Sequence, residues 1–243
     1  MVANTPLRFG LVGISGRMGR EIVALAAIDR LLKVVGGIGS RNAGELRDLA
    51  SNCDVLIDFS TPEFSATAAS AGAESGTPIV VGTTGLVADQ VALLRATSVR
   101  APVWFARNIS AGVSLLQRLL PEIARALERY DIELIEAHRW HKVDAPSGTA
   151  LMSAEANIAG LPGADEHPLV QGREGHAPRQ PGEIGIHAVR SGGKAGEHAI
   201  LFASNEEEIR ITHRAYSRQA FAAGAIRAAR AIHGQPPGWY GPE

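Results

Sequence analysis

A chain of 243 residues with 45% apolar side chains, mean hydropathy near zero and a net charge of −1 has the length for one large or two medium domains around a substantial core. The balanced charge lacks the basic footprint of nucleic-acid binding, and no apolar run approaches the roughly 18 residues of a membrane span, so neither nucleic acid nor membrane is expected as a partner. With one cysteine, Cys53, no intrachain disulfide is possible, and MVANTPLRFG carries neither a charged leader nor a long apolar stretch, so a cytoplasmic location is expected.

Leu7 to Gly13 (LRFGLVG) is a short apolar run ending in glycine. Ile14, Ser15, Gly16, Arg17, Met18 and Gly19 follow, then an amphipathic stretch to about Ile28. This order reads as strand, glycine turn and helix. The glycines fall as GxxGxxG, which departs from the commoner GxGxxG but meets the same need: a tight turn, backbone close to a pyrophosphate and a helix N-terminus facing it. Gly13, Ile14, Ser15, Gly16, Arg17 and Met18 are therefore candidate dinucleotide-binding residues. A second strand, Leu32 to Gly39, and a third, Asp54 to Phe59, complete a βαβ series.

About 20 residues beyond such a turn, an NAD site usually places an acid for the ribose 2′-OH, whereas an NADP site offers a cation. Here the chain reads Gly39, Ser40, Arg41. Arg41 is suited to pair with a 2′-phosphate and Ser40 to hydrogen-bond it, so NADPH is the preferred cofactor expected, with NADH possible. Two more strands, Thr77 to Val81 and Pro102 to Ala106, run into Gly82, Thr83, Thr84, Gly85 and into Arg107, Asn108, Ile109. Ligands of open parallel sheets lie beyond the carboxyl ends of the strands, so both loops point to the cofactor crevice. Read without other knowledge, GTTG is also simply a polar turn.

From Ala111 the pattern changes. A helix at about Val113 to Leu127 leads to an alternating strand, Ile132 to Ala137, which runs out into a loop at His138. The stretch Glu136 to Ala150, EAHRWHKVDAPSGTA, is dense in ionisable groups. His138 and Lys142 are the candidate proton-transfer residues, since an imidazole titrates near neutrality and an amine does so when buried or set beside cations such as Arg139. The chain has 21 arginines and three lysines, Lys33, Lys142 and Lys194. A lysine kept in this loop suggests a need for a group able to lose its proton, which arginine cannot do. Trp140 is read as packing. His138 and His141 lack the acidic or thiol partners of a zinc site, so no metal is expected. Ser147 reads as an N-cap rather than a nucleophile, opening a helix whose first turn, with Gly148 and Thr149, offers N–H groups to a carboxylate. The substrate so indicated is a carboxylate that must be protonated.

The string HKVDAPSGTA after EAH resembles the signature of the dihydrodipicolinate reductase family. REGH at Arg173, GEIGIHAVRSG, GEH at Gly196 and ITHRAYSR at Ile211 share the same pattern. The resemblance implies NAD(P)H-dependent reduction of 4-hydroxy-tetrahydrodipicolinate, a small dicarboxylate, to tetrahydrodipicolinate in diaminopimelate and lysine biosynthesis. It also implies proton transfer by His138 and Lys142, and a substrate carboxylate on Gly148 and Thr149. The nicotinamide end would be lined by Gly82, Thr83, Thr84, Ala106, Arg107 and Asn108, with Ile109 beside them. Arg139 stands where the family commonly has a second histidine and is assigned to substrate. The histidines of REGH and GEH are left out of the catalytic set.

Three alternating runs close the second half, Glu183 to Arg190, Glu197 to Ala203 and Glu206 to His213, with connections short enough to favour antiparallel pairing. A helix at about Ser217 to Ile232 follows, and GQPPGWYGPE ends the sequence. The fold class expected is α/β: a Rossmann-type doubly wound parallel sheet, plus a second α+β domain with a mixed, largely antiparallel sheet. The nucleotide domain is taken as 1–109 completed by 218–243, and the substrate and oligomerisation domain as 110–217. The resemblance implies a homotetramer. Two rivals remain open: a thioester-forming, semialdehyde dehydrogenase-like reductase using Cys53, and a non-catalytic NADPH-binding sensor.

Overall fold

The computed structural model describes residues 5–39 and 42–242. They fall into two compact units, Met1–Ala111 with Arg218–Glu243, and Gly112–Ser217.

The first unit begins with β1 (Leu7–Val12), α1 (Arg17–Ile28), β2 (Leu32–Ile38), α2 (Leu46–Ser51), β3 (Val55–Asp58), α3 (Pro62–Ser75), β4 (Ile79–Val81), α4 (Ala88–Thr97) and β5 (Pro102–Phe105). All five strands are parallel, in the order β2-β1-β3-β4-β5. Strands covered on both faces carry unbroken apolar runs, and Val55, Leu56, Ile57, Ile79, Val80 and Val81 are indeed fully buried. Helix α3 shows local punctuation at both ends, Pro62 in its first turn and Gly76 closing it at φ +72°. The chain starts at β1, places β2 on one side and works outward from β3 on the other. The β1/β3 boundary is therefore the topological switch point, where such sheets bind ligands.

The second unit contains α5 (Ala111–Ala126), β6 (Asp131–His138), α6 (Gly148–Gly160), β7 (Leu169–Gln171), β8 (Ile184–Arg190), β9 (Gly196–Ala203) and β10 (Glu208–Ala215). Its sheet runs β10-β9-β6-β8-β7. Ile132, Leu134, Ile184, Ile186, Ile200 and Phe202 form one face and meet Leu120 and Ala124 of α5 and Ala150 and Ala154 of α6. Gly160 permits the two helices to touch, because a Cβ there would lie 2.1 Å from the Pro121 carbonyl oxygen.

The sheet is mixed, as expected, but its pairings divide evenly. β9 is antiparallel to β6 and β10, while β8 is parallel to β6 and β7. The expected hairpin between the runs at 183–190 and 197–203 does not form, because β6 lies between β8 and β9. The connection arches over the end of β6 instead: Ser191 N donates to His138 O (3.0 Å), Trp140 N to Gly192 O (3.2 Å) and Arg139 N to Lys194 O (3.0 Å). Crossing one strand requires two spacings of roughly 4.8 Å, within reach of so short a link. Strand β10 starts two residues later than expected. Ser204 N bonds Glu207 O at 2.9 Å and the Ser204 hydroxyl accepts from the amides of Glu206 and Glu207, which extends the turn. Strand β7, for which no element was expected, has too little apolar sequence to announce itself.

The chain then completes the first unit with α7 (Gln219–Ile232) and β11 (Gly238–Tyr240). Ala222, Ala225, Ala228, Ala229 and Ile232 of α7 join Phe9, Leu11, Ile22, Val80 and Ile109 in one core. β11, for which no element was expected, adds a sixth parallel strand beside β5. Its Trp239 ring lies 5.7 Å from Phe105, with the Arg95 guanidinium 4.5 Å from its centroid. Gly224 lets α7 approach, since a Cβ would stand 1.9 Å from Ile109 O. Gly224→Ala is expected to lower stability by about 1–3 kcal/mol despite alanine's better helix propensity, because backbone must move. Urea unfolding checks this, and an unchanged midpoint would contradict so close an approach.

Candidate active site

In the first unit, the turn after β1 is built by glycines that have no room for a side chain. Gly13 has φ +83°, and a Cβ on it would lie 2.3 Å from Phe59 O. A Cβ on Gly19 would lie 2.5 Å from both Gly13 O and Ile14 O. The turn is held by Gly13 N to Ile38 O (2.8 Å) and Gly16 N to Gly13 O (2.9 Å). Bonding in α1 starts with Arg20 N to Gly16 O (3.1 Å), so the amides of Arg17, Met18 and Gly19 lie at the open, positive end of the helix. The N-cap, Gly16, has no side chain to occupy it. A backbone cradle at the switch point, kept clear by glycine, fits a dinucleotide pyrophosphate. Ser15 and Arg17 are exposed, whereas the side chains of Ile14 and Met18 pack on the core.

The loops after β4 and β5 leave the sheet at this same edge. Gly82 is required by the Phe59 ring, whose Cζ would stand 2.4 Å from a Cβ. Thr84 and Arg107 are exposed and Asn108 half-buried, with the Asn108 carboxamide oxygen accepting from Ser110 N at 3.0 Å. Ala106 and Ile109 have their side chains in the core. The Thr83 hydroxyl is turned inward to Asp58. Asp58 was not anticipated. It is fully buried and accepts from Ser60 N (3.0 Å), Ser60 Oγ (2.5 Å), Ser65 Oγ (2.5 Å) and Thr83 Oγ1 (2.9 Å). Burial pushes its carboxyl pKa up while the three hydroxyls oppose that shift. It thereby ties the loops after β3 and β4 together, and the acid ending DVLID was the signal available in the sequence. Ser40 and Arg41 lie outside the described residues. Beside them Asn42 receives Gly39 N (2.8 Å) and donates to Gly37 O (3.1 Å).

In the second unit, His138 is the last residue of β6, and Glu136 shares its face two residues earlier. Glu136 is only 1% exposed and bonds His138 Nδ1 directly. Arg190 grips the same carboxylate with both terminal nitrogens, at 2.9 and 2.7 Å, and Ser147 N reaches it at 3.2 Å. Burial alone would raise the Glu136 pKa, but the bonds from His138 and Arg190 outweigh it and hold the group at about 2. Glu136 is therefore a carboxylate at neutral pH. Its counter-charge comes from the strand that pairs with its own.

Ser147 caps α6 as expected, accepting from Ala150 N at 3.2 Å, and its hydroxyl also meets His198 Nε2 at 3.1 Å. Gly148 and Thr149 precede the first helical bond, Leu151 N to Ser147 O, and so lie at the positive end of α6. A Cβ on Gly148 would meet nothing within 4 Å. Lys142 is folded onto Asp144, its amine 2.6 and 2.7 Å from the two carboxylate oxygens. Arg139 is half-buried. Trp140, read as packing, is 73% exposed and stands edge-on to His141 at 5.2 Å. It sits on the loop tip beyond β6, where no core is within reach.

Sequence reading left out three residues that this site contains: Glu136, Arg190 and His198. His198, from GEH, meets the His138 ring edge-to-face at 5.2 Å. Burial, with His138 nearby, pushes its pKa down to about 3. In the unfolded chain the ring titrates near 6.5. Between those values the unfolded state binds a proton that the native state does not, so stability falls as pH drops from 6.5 toward 3. Replacing His198 by Asn is expected to flatten that slope by up to about 1.4 kcal/mol per pH unit. Unfolding midpoints at several pH values give the slope, and one identical to the parent's would count against a neutral buried ring.

A switch-point nucleotide cradle in one unit and a buried imidazole–carboxylate pair in the other are the equipment of a nucleotide-dependent oxidoreductase. Known proteins narrow the class. The family model described as "Dihydrodipicolinate reductase, N-terminus" matches residues 7–109 and that described as "Dihydrodipicolinate reductase, C-terminus" matches 112–243. The chain belongs to the dihydrodipicolinate reductase family. It is 45% identical to the 4-hydroxy-tetrahydrodipicolinate reductase of Thermomicrobium roseum, over 96% of this chain and 97% of that one. It is 42% identical to that of Halorhodospira halophila, over 96% of each. Among solved structures, the dipicolinate-bound dihydrodipicolinate reductase of Paenisporosarcina sp. TG-14 shares the fold, with TM-score 0.77 at 23% identity over 98% of both chains.

Proposed function

We propose that this chain reduces 4-hydroxy-tetrahydrodipicolinate to tetrahydrodipicolinate with NAD(P)H, in diaminopimelate and lysine biosynthesis. The observation that carries the reading is the coincidence, within one family motif, of a carboxylate-held imidazole, an ion-paired lysine and an open helix N-terminus. The unit Met1–Ala111 with Arg218–Glu243 holds the dinucleotide through the cradle Gly13 to Met18 and the loops Gly82 to Thr84 and Ala106 to Ile109. The unit Gly112–Ser217 holds the substrate.

The amides of Gly148 and Thr149 take one carboxylate at the α6 N-terminus, and Arg139 takes another bidentately. Bound in the first unit, the reduced dinucleotide supplies hydride. The substrate ring must lose its hydroxyl as water and gain a proton, and these steps fall to His138 and Lys142. With Nδ1 committed to Glu136, His138 handles the proton through Nε2. Gly196 leaves that nitrogen clear, since a Cβ there would lie 3.0 Å from it. Lys142, drawn to Asp144 by its charge, is the second donor. General acid catalysis of this kind contributes ~10² to 10⁴ in rate.

NADPH is the preferred cofactor in this reading. Support comes from the sequence alone, which reads Gly39-Ser40-Arg41 about 20 residues beyond the glycine turn, with no acid among them to accept a ribose 2′-OH. Steady-state kcat/KM with each cofactor is expected to favour NADPH, and a clear advantage for NADH would defeat the assignment. Homotetramer assembly is also proposed. Helices α5 and α6 pack on one face of the second unit's sheet, while the other bears Ile135 and the 43%-exposed Val189. Light scattering reports the subunit count. The reaction itself is tested by NADPH oxidation with substrate generated from pyruvate and aspartate semialdehyde. Turnover inhibited by dipicolinate is expected, and no turnover would overturn the assignment.

A further inference from the structure

The carboxylate that holds His138 and the loop that carries Lys142 share one contact, the guanidinium of Arg190. In the parallel β6/β8 ladder Arg190 is the register partner of His138. One terminal nitrogen donates to Glu136 Oε2 at 2.9 Å and to its neighbour's carbonyl, Val189 O, at 2.8 Å. The other donates to Glu136 Oε1 at 2.7 Å and to Asp144 O at 2.5 Å. Glu136 bonds His138 Nδ1, and the Asp144 carboxylate bonds Lys142. His138 at the end of β6 and Lys142 on the loop four residues further on are thus referred to one planar fork anchored in a strand.

We infer that Arg190 is a positioning residue that sets His138, through Glu136, and Lys142, through Asp144, in one fixed arrangement. The inference rests on the roles of His138 and Lys142 given above. Lysine cannot replace the fork, because a point cation does not grip both carboxylate oxygens and a carbonyl in one plane. The groups that face His138 are Glu136 from its own strand, Arg190 from β8, His198 from β9, and Lys142 and Asp144 from the loop. Arg190 and Glu136 act on its ring with opposite signs. Removing the arginine leaves the carboxylate uncompensated and favours protonated His138, whereas removing the carboxylate disfavours it.

The test uses the full chain in three variants, Arg190→Lys, Arg190→Met and Glu136→Gln, with His138 ring titration followed by NMR without cofactor, and then kinetics. In Arg190→Met the His138 midpoint is expected to rise by about one pH unit, and in Glu136→Gln to fall by about as much. Arg190→Lys, which retains the charge and so guards against simple unfolding, is expected to lose tenfold to hundredfold in kcat with dinucleotide affinity within twofold of the parent. Midpoints that both stay put, or that move in the same direction, would overturn the inference, as would parental kcat in Arg190→Lys. Absence of turnover in the parent chain would instead defeat the proposed reaction and leave the NMR comparison standing as the test of Arg190.

Discussion

Replacement of Lys142 by alanine is expected to lower kcat by ~10² to 10³, within the range of a lost general acid, while KM for the dinucleotide changes by no more than about threefold. The expectation follows from where the amine is held. Its side chain is 21% exposed and paired to Asp144, which is itself 52% exposed. Truncation therefore strands no buried charge, because the freed carboxylate can turn to water, and an exposed pair of this kind contributes little to stability. The loss should appear in turnover and not in folding. Lys142→Arg separates charge from proton transfer, since a guanidinium keeps the first and cannot perform the second. Wild-type kcat in Lys142→Ala would remove this residue from the chemistry and leave His138 as the sole donor.

Glu136→Ala is expected to be the most damaging single change to the second unit, costing about 3–5 kcal/mol. Three groups lose their acceptor at once: the Arg190 guanidinium, His138 Nδ1 and Ser147 N. Hydrogen exchange of β6 and β8 amides is the appropriate measurement, since a chain of two units need not unfold in one step. Native-like protection would show that the pocket rehydrates without cost. The same carboxylate gives a pH signature. Its folded pKa of about 2 lies below the ordinary 4.5, so its stabilisation is complete above 4.5 and is lost as pH falls through that window toward 2. The alanine variant should lack that component of acid sensitivity.

The two effects divide the site by chemistry. On these expectations the loss in Lys142→Ala falls on turnover and hardly on the fold, whereas that in Glu136→Ala falls on both, because Glu136 is a buried anion whose hydrogen bond also holds the His138 ring. His198 fits between them. Kept neutral by burial, it fills the space beside His138 without bringing a charge of its own.

What the sequence by itself determined was local. The strand, glycine turn and helix of Leu7 to Ile28 were legible because each constraint acts within a few residues: no side chain fits at Gly13 or Gly19. The Ser147 cap was legible for the same reason, since a hydroxyl three residues before the amide it serves is a short-range event. His138 and Lys142 stood out through residue type and through a family motif. Tertiary structure alone decided the rest. Ser147 and His198 are 51 residues apart and Glu136 and Arg190 are 54 apart, distances over which sequence pattern carries no information about contact. The insertion of β6 between β8 and β9 overruled the short connection that suggested a hairpin, because a strand flanked on both sides buries Ile132 and Leu134 better than an edge strand does. That one choice of neighbour set Arg190 opposite His138, and β11 likewise became a strand only because β5 offered an edge to pair with.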